Sequence, residues 1–167
     1  VLQLMRITKK NIIPAILIIS SPFCIFSFNA DSLSRLEGNI SALSFQESIS
    51  YSPDIIEYFD FYDMNVKGAD HYFGYFMSSD KKIAAHIYHP KNPIGTIVFI
   101  HGYLDHSGLY MGIINYFLER NFNIAIFDLP GHGLSGGKRI DIENFSEYGL
   151  VLNDFFMIIS NDLTQPY

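Results

Sequence analysis

The 167-residue chain is long enough for one domain of ordinary size. With 49% hydrophobic and 16% aromatic residues it can bury a real core, which excludes a disordered chain. The formal net charge is −6, and residues 31–167 hold 8 basic against 17 acidic residues with no basic stripe, so nucleic acid is excluded as a partner.

The chain opens on an apolar leader. Met5 to Asn11 is short and basic through Arg6, Lys9 and Lys10; Ile12 to Phe28 is almost wholly apolar; Asn29-Ala30-Asp31-Ser32 is polar. That order describes a secretory signal peptide, with Met5 as the natural start and cleavage after Ala30. The apolar run is slightly short of the roughly 20 residues a spanning helix wants. Residues 1–30 are therefore expected to export the protein, periplasmic or secreted, with an uncleaved membrane anchor as the alternative. The lone Cys24 lies inside this leader, leaving residues 31–167 without a disulfide or thiolate metal site. His86 and His89 are spaced like some zinc ligands. The surrounding Ile83 to Pro90 alternates like a strand, and an i, i+3 pair on a strand faces opposite ways. No metal and no other cofactor is expected.

Residues 31–54 are mixed and Ser-rich, and read as a spacer or loose arm. Residues 55–167 read as the folded domain. Glu57 to Met64, Tyr72 to Met77 and Lys82 to His89 predict two or three antiparallel strands, with turns at Lys67-Gly68 and Ser79-Asp80. Thr96 to Ile100 and Ile124 to Phe127 are apolar on both faces, as central strands of a parallel sheet are. Between them, Leu109, Ile113, Phe117 and Tyr110, Ile114, Leu118 recur at helical spacing. This is strand, helix, strand, with a right-handed crossover expected. A second helix should be capped by Asn144 with Glu147 as the returning partner. Phe145, Tyr148, Leu152, Phe155, Phe156 and Ile159 are its expected buried face. The fold class is α/β, and the next element owed, another central strand, is not found in the sequence after this helix.

Two segments carry the chemistry, each at the C-terminal end of its strand, where open α/β sheets bind ligands. The first is His101-Gly102-Tyr103-Leu104-Asp105-His106-Ser107-Gly108-Leu109-Tyr110. The second is Asp128-Leu129-Pro130-Gly131-His132-Gly133-Leu134-Ser135-Gly136-Gly137. The first resembles the oxyanion-loop region of monoacylglycerol lipases and lysophospholipases. The second resembles that family's Asp-x-x-Gly-His-Gly-x-Ser loop. The likeness covers roughly residues 73–159 and implies the N-terminal portion of an α/β-hydrolase fold. By position it implies that the Tyr103 backbone N–H is an oxyanion donor, with His101 and Gly102 supporting the loop. Asp128, Gly131, His132, Gly133 and Ser135 fall on a loop beside the active site. The implied substrate is a small lipid or ester, and the apolar leader is the expected point of membrane association.

Two apparent motifs argue less. Gly133-Leu134-Ser135-Gly136-Gly137 is a literal Gly-x-Ser-x-Gly. A nucleophile elbow joins a strand directly to a helix, however, and Ser135 lies several residues past its strand with Lys138-Arg139-Ile140-Asp141 following. No His follows it, although the fold orders its triad Ser, acid, His. Ser135 is expected to bond locally to backbone. Asp105-His106-Ser107 places three triad residue types side by side, but a triad must converge in space. These residues are expected to cap and start the next helix, and His132 to brace its loop. The nucleophile, acid and base are thus expected outside this sequence, with the chain alone inactive. The alternatives are a non-catalytic remnant or binding module, or another chemistry on the same fold, such as peptidase, haloperoxidase or acyltransferase.

Overall fold

The computed structural model describes residues 16–19, 30–45, 50–142 and 144–163. Strands β1 (Ile16–Ile19), β2 (Ala69–Ser78), β3 (Lys81–Pro90), β4 (Gly95–His101) and β5 (Phe122–Phe127) form one sheet in the order β1-β4-β5-β3-β2. β2 and β3 are an antiparallel hairpin turning at Ser79-Asp80, and β3 runs antiparallel to β5. β5, β4 and β1 are mutually parallel neighbours. Helices α1 (Ala30–Asn39), α2 (Pro53–Phe61), α3 (Met111–Leu118) and α4 (Ser146–Ile159) complete the fold.

Strands β3, β4 and β5 are apolar on both faces because both are covered. Ala84, Tyr88, Phe99, Ile124 and Ile126 meet α1, α2 and α3 on one side. Ile83, Ile87, Val98, Ala125 and Phe127 meet Val151, Phe155 and Ile159 of α4 on the other. Asn123 and Thr96 are among the buried polar residues of these strands and bond each other, Asn123 Nδ2 donating to Thr96 Oγ1 at 3.0 Å, while Asn123 Oδ1 has no partner among the described residues.

Several expectations need correction. Glu57 to Met64 is not a strand. Pro53 starts α2, the Ser52 side chain accepts from Ile55 N–H, and Ile55, Tyr58 and Phe59 are buried at helical spacing. Aromatic density suggests a strand, but the cap and the period decide. At α4 the N-cap is Phe145, with no side-chain cap bond, and Asn144 stands one residue earlier, its Oδ1 accepting from Ser146 N–H at 2.9 Å. Glu147 does not return to it, because Lys81 on β3 holds its carboxylate at 2.7 Å. Phe145 is 76% exposed, and Val151 takes the buried place instead. The stretch expected as a spacer holds α1, whose Leu36 is buried, and the start of α2. Of the apolar leader, Ile16–Ile19 pairs in parallel with Val98 to His101; residues 1–15 and 20–29, with Cys24, lie outside the described residues. No helix among the described residues is long and apolar enough to cross a membrane.

The hairpin also buries two imidazoles against each other. His71 Nε2 lies 3.0 Å from His86 Nδ1, the rings stack, and Phe73 and Tyr88 extend the stack. His89, three residues past His86 on the same strand, is half-buried. Burial pulls the His71 pKa down to about 3 and holds His86 well below its usual value, His71 and His106 adding to the latter. Both are thus neutral when folded, and the unfolded chain takes up protons first, at about pH 6.5. Their contribution is complete above that pH and is lost as pH falls toward 3. Stability should drop by about 1.4 kcal/mol per pH unit per imidazole below pH 6.5. Urea midpoints at pH 7.5 and pH 5 should show this fall, and His86→Phe should flatten it. Equal slopes in both proteins would contradict the assignment.

Candidate active site

β4 and β5 end side by side, so the loops that follow them meet. His101, the last residue of β4, ties the two together. Its Nδ1–H donates to Gly102 O at 2.8 Å, and its Nε2 accepts from Leu129 N–H at 2.8 Å. This fixes the tautomer. Burial holds its pKa down, with the Asp128 charge opposing. His101 is therefore a neutral connector and not a proton carrier.

The first loop is closed by Tyr110. Its hydroxyl donates to Asp105 Oδ2 at 2.6 Å and accepts from Gly102 N–H at 3.2 Å. Burial and that carboxylate raise the phenol pKa, so it stays protonated. Asp105 N–H donates to Gly102 O, making a tight turn in which Leu104 takes a left-handed φ of 72°. A non-glycine residue there is strained and must be held by its surroundings. Tyr103 sits on the crest, 57% exposed, and its hydroxyl reaches Ile140 O at 2.9 Å. Among the described residues nothing accepts a hydrogen bond from the Tyr103 N–H.

The second loop is organised by the buried Asp128. Its Oδ1 accepts from Ser107 N–H at 2.7 Å and its Oδ2 from Leu134 N–H at 2.8 Å. Gly133 has φ +46°, and a Cβ there would come within 2.1 Å of the Asp128 carboxylate. Gly131 has φ +73°, and a Cβ there would meet Lys138 O at 2.2 Å. His132 Nδ1–H donates to Pro130 O at 2.9 Å, and its buried Nε2 has no partner among the described residues. Ser135 Oγ donates to Asp128 O at 2.6 Å and accepts from Ala84 N–H at 2.9 Å, fully buried. A hydroxyl so engaged is not presented to a substrate.

The Asp105, His106 and Ser107 side chains do not line up as a triad. Asp105 faces Tyr110, while His106 is the N-cap of the 3-10 turn Ser107–Tyr110, its Nδ1 accepting from Gly108 N–H at 3.3 Å. Burial lowers the His106 pKa against the pull of Asp128 and Asp105. Tyr110 and Asp105, read from the sequence as helix face and helix start, close the first loop on Gly102, and Ala84 of β3, which the sequence did not mark for the site, anchors Ser135 of the second. Tyr58 was hidden in a run read as strand. No cluster of three or more His, Cys, Asp or Glu suited to a metal occurs among the described residues.

Residues 91–165 match the family described as serine aminopeptidase, S33. The chain carries an α/β-hydrolase segment. The chain is similar to a monoacylglycerol lipase of Mycolicibacterium smegmatis, 34% identical over 71 residues, covering 42% of this chain and 25% of the relative. It is also similar to phospholipase YtpA of Bacillus subtilis, 34% identical over 56 residues, covering 34% of this chain and 22% of the relative. The chain thus spans about a quarter of the length of these curated relatives. Among solved structures, acetyl xylan esterase 1 of a Thermoanaerobacterium species aligns at TM-score 0.48 and 18% identity, over 81% of this chain and 45% of that one.

Two glycine substitutions should separate in sign. Gly133→Ala places a methyl into the Asp128 carboxylate at a left-handed φ and should cost about 3 kcal/mol. Gly149→Ala, at an exposed position of helix α4 with open space around it, should gain about 0.5–1 kcal/mol. Thermal unfolding should show a fall of about 6–12 °C for the first and a small rise for the second. A Gly133→Ala protein as stable as the parent would contradict the hub geometry.

Proposed function

We propose that this chain supplies the oxyanion loop of a serine hydrolase that cleaves a carboxylic ester, a monoacylglycerol or lysophospholipid, through an acyl-enzyme. The observation that carries the reading is the Tyr103 N–H, uncommitted at the crest of a loop fastened on both sides. Attack on an ester carbonyl moves negative charge onto its oxygen. A backbone N–H held in place beforehand stabilises that charge without reorganising. In this fold the second donor is the N–H following the nucleophile. The two relatives described as a monoacylglycerol lipase and a phospholipase support the ester class.

Ser135 does not fit as the nucleophile, since its buried hydroxyl donates to one backbone group and accepts from another. On this reading the nucleophile, acid and base lie outside these 167 residues, and the apolar N-terminal segment serves export or membrane attachment. A fluorophosphonate probe should leave the 167-residue chain unlabelled, and p-nitrophenyl ester turnover should match buffer. Labelling at Ser135 would overturn the assignment. The intact mass of the product from its own cells should exceed 19.1 kDa. A product at or below that mass would favour a non-catalytic remnant.

The family description favours one second reading, cleavage of an amide at a peptide N-terminus. The same N–H would serve the tetrahedral intermediate of either reaction. Comparing glycerol monoesters with aminoacyl p-nitroanilides in the mass-verified native product separates the two. Preference for the anilides would replace the lipase reading.

A further inference from the structure

Helix α2 lies ahead of the matched residues 91–165, yet it reaches the first loop. The Tyr58 hydroxyl is 3.3 Å from His106 Nδ1, and Tyr58 is only 1% exposed. One turn on, the Tyr62 ring meets His106 edge-on at 4.9 Å between centroids. Tyr62 also closes over Gly108, where a Cβ would stand 2.8 Å from the Tyr62 ring. A side chain of α2 and that of the residue ending it thus enclose His106 and the residue it caps.

The hydrogen bonding fixes the chemistry of that contact. Gly108 N–H donates to His106 Nδ1, so Nδ1 carries the lone pair and Nε2 the proton. In the contact with this nitrogen Tyr58 is therefore the donor, sharing the one lone pair with Gly108 N–H, and the Ser107 side chain also interacts with the Tyr58 hydroxyl. Burial and the neighbouring Asp128 charge raise the Tyr58 pKa well above its usual value, so the donor proton stays in place. His106 connects two fixed points of the loop. Asp105 before it is held by Tyr110, and Ser107 after it donates to Asp128. Between Gly102 and His106 lies the strained Leu104 turn that presents Tyr103.

We propose that Tyr58 is a positioning residue for the oxyanion loop: its hydroxyl holds His106 in the Nε2–H form and so keeps the 102–108 turn in the shape that aims the Tyr103 N–H. The role in catalysis rests on the reading above, whereas the positioning itself can be measured without activity. This assigns α2 to the working part of the hydrolase and not to a covering layer alone.

The test is Tyr58→Phe in the full 167-residue chain, with His106 followed by long-range 15N–1H NMR and backbone amides by hydrogen exchange. The parent should show His106 as the Nε2–H tautomer. In the variant the Nδ1 resonance should shift, and the Asp105, Ser107 and Gly108 amides should exchange about tenfold faster, the scale of one lost hydrogen bond. The Ile126 amide in β5 should not change. An unchanged His106 spectrum with unchanged loop exchange overturns the proposal, as does equal acceleration of Ile126, which marks general destabilisation. His106→Asn, which keeps an acceptor near the Nδ1 position and is a good N-cap, should retain loop protection where His106→Ala loses it. Equal protection in those two variants also overturns it. Should ester turnover by the mass-verified product fail while the tautomer result holds, only the hydrolase reading falls.

Discussion

The site depends on one buried carboxylate. Asp128 is fully buried, and among the described residues no Lys or Arg pairs with it. A carboxylate removed from water is costly unless its oxygens are hydrogen-bonded. Here the compensation is two backbone N–H groups from separate loops, Ser107 and Leu134. Both loops must therefore close for the chain to bury this charge. The requirement explains the residue pattern that follows β5. Gly133 leaves room for the carboxylate, Gly131 permits the turn under Lys138 O, and Ser135 returns to bond Asp128 O. Each is a consequence of placing Asp128 at a strand end beneath two loops.

The histidines near the site share a character. His101 spans two loops, His106 caps a turn, and His132 bonds Pro130 O. For His101 and His106 burial lowers the pKa although Asp128 opposes it. Neutral imidazole offers one donor and one acceptor in a flat ring, which suits it to joining backbone segments. The same residue type that would serve as a base elsewhere serves here as a rigid connector. Abundance of histidine at a site is thus weak guidance to proton transfer.

Much of this was legible in the sequence because it is periodic or local. β4, β5 and the helix between them follow from apolar runs and helical spacing, and the turn at Ser79-Asp80 from its residues. What was not legible depends on residues distant in sequence. Glu147 could have completed a capping box, but Lys81 lies within reach once β3 packs near α4. Phe145 shares the period of the buried face and yet precedes the helix, where it escapes burial. Helix α2 was masked by Tyr58, Phe59, Phe61 and Tyr62, aromatics that favour strands when no partner surface is known. Its Ser52-Pro53 start was the local signal that outweighed them. The link from Tyr58 to His106 joins positions 48 apart and has no signature in either segment.

The parallel pairing of Ile16–Ile19 with β4 also bears on how the molecule assembles. β2 and β3 meet through a two-residue turn, and β4, α3 and β5 follow one another directly, so their contacts close short loops. β1 must find a partner roughly 80 residues away, and such non-local pairing is entropically slow. It rests on four residues at the sheet edge. Of the two parallel pairings, β1 with β4 and β4 with β5, that of β1 carries the larger loop-closure cost and is spread over the fewer residues.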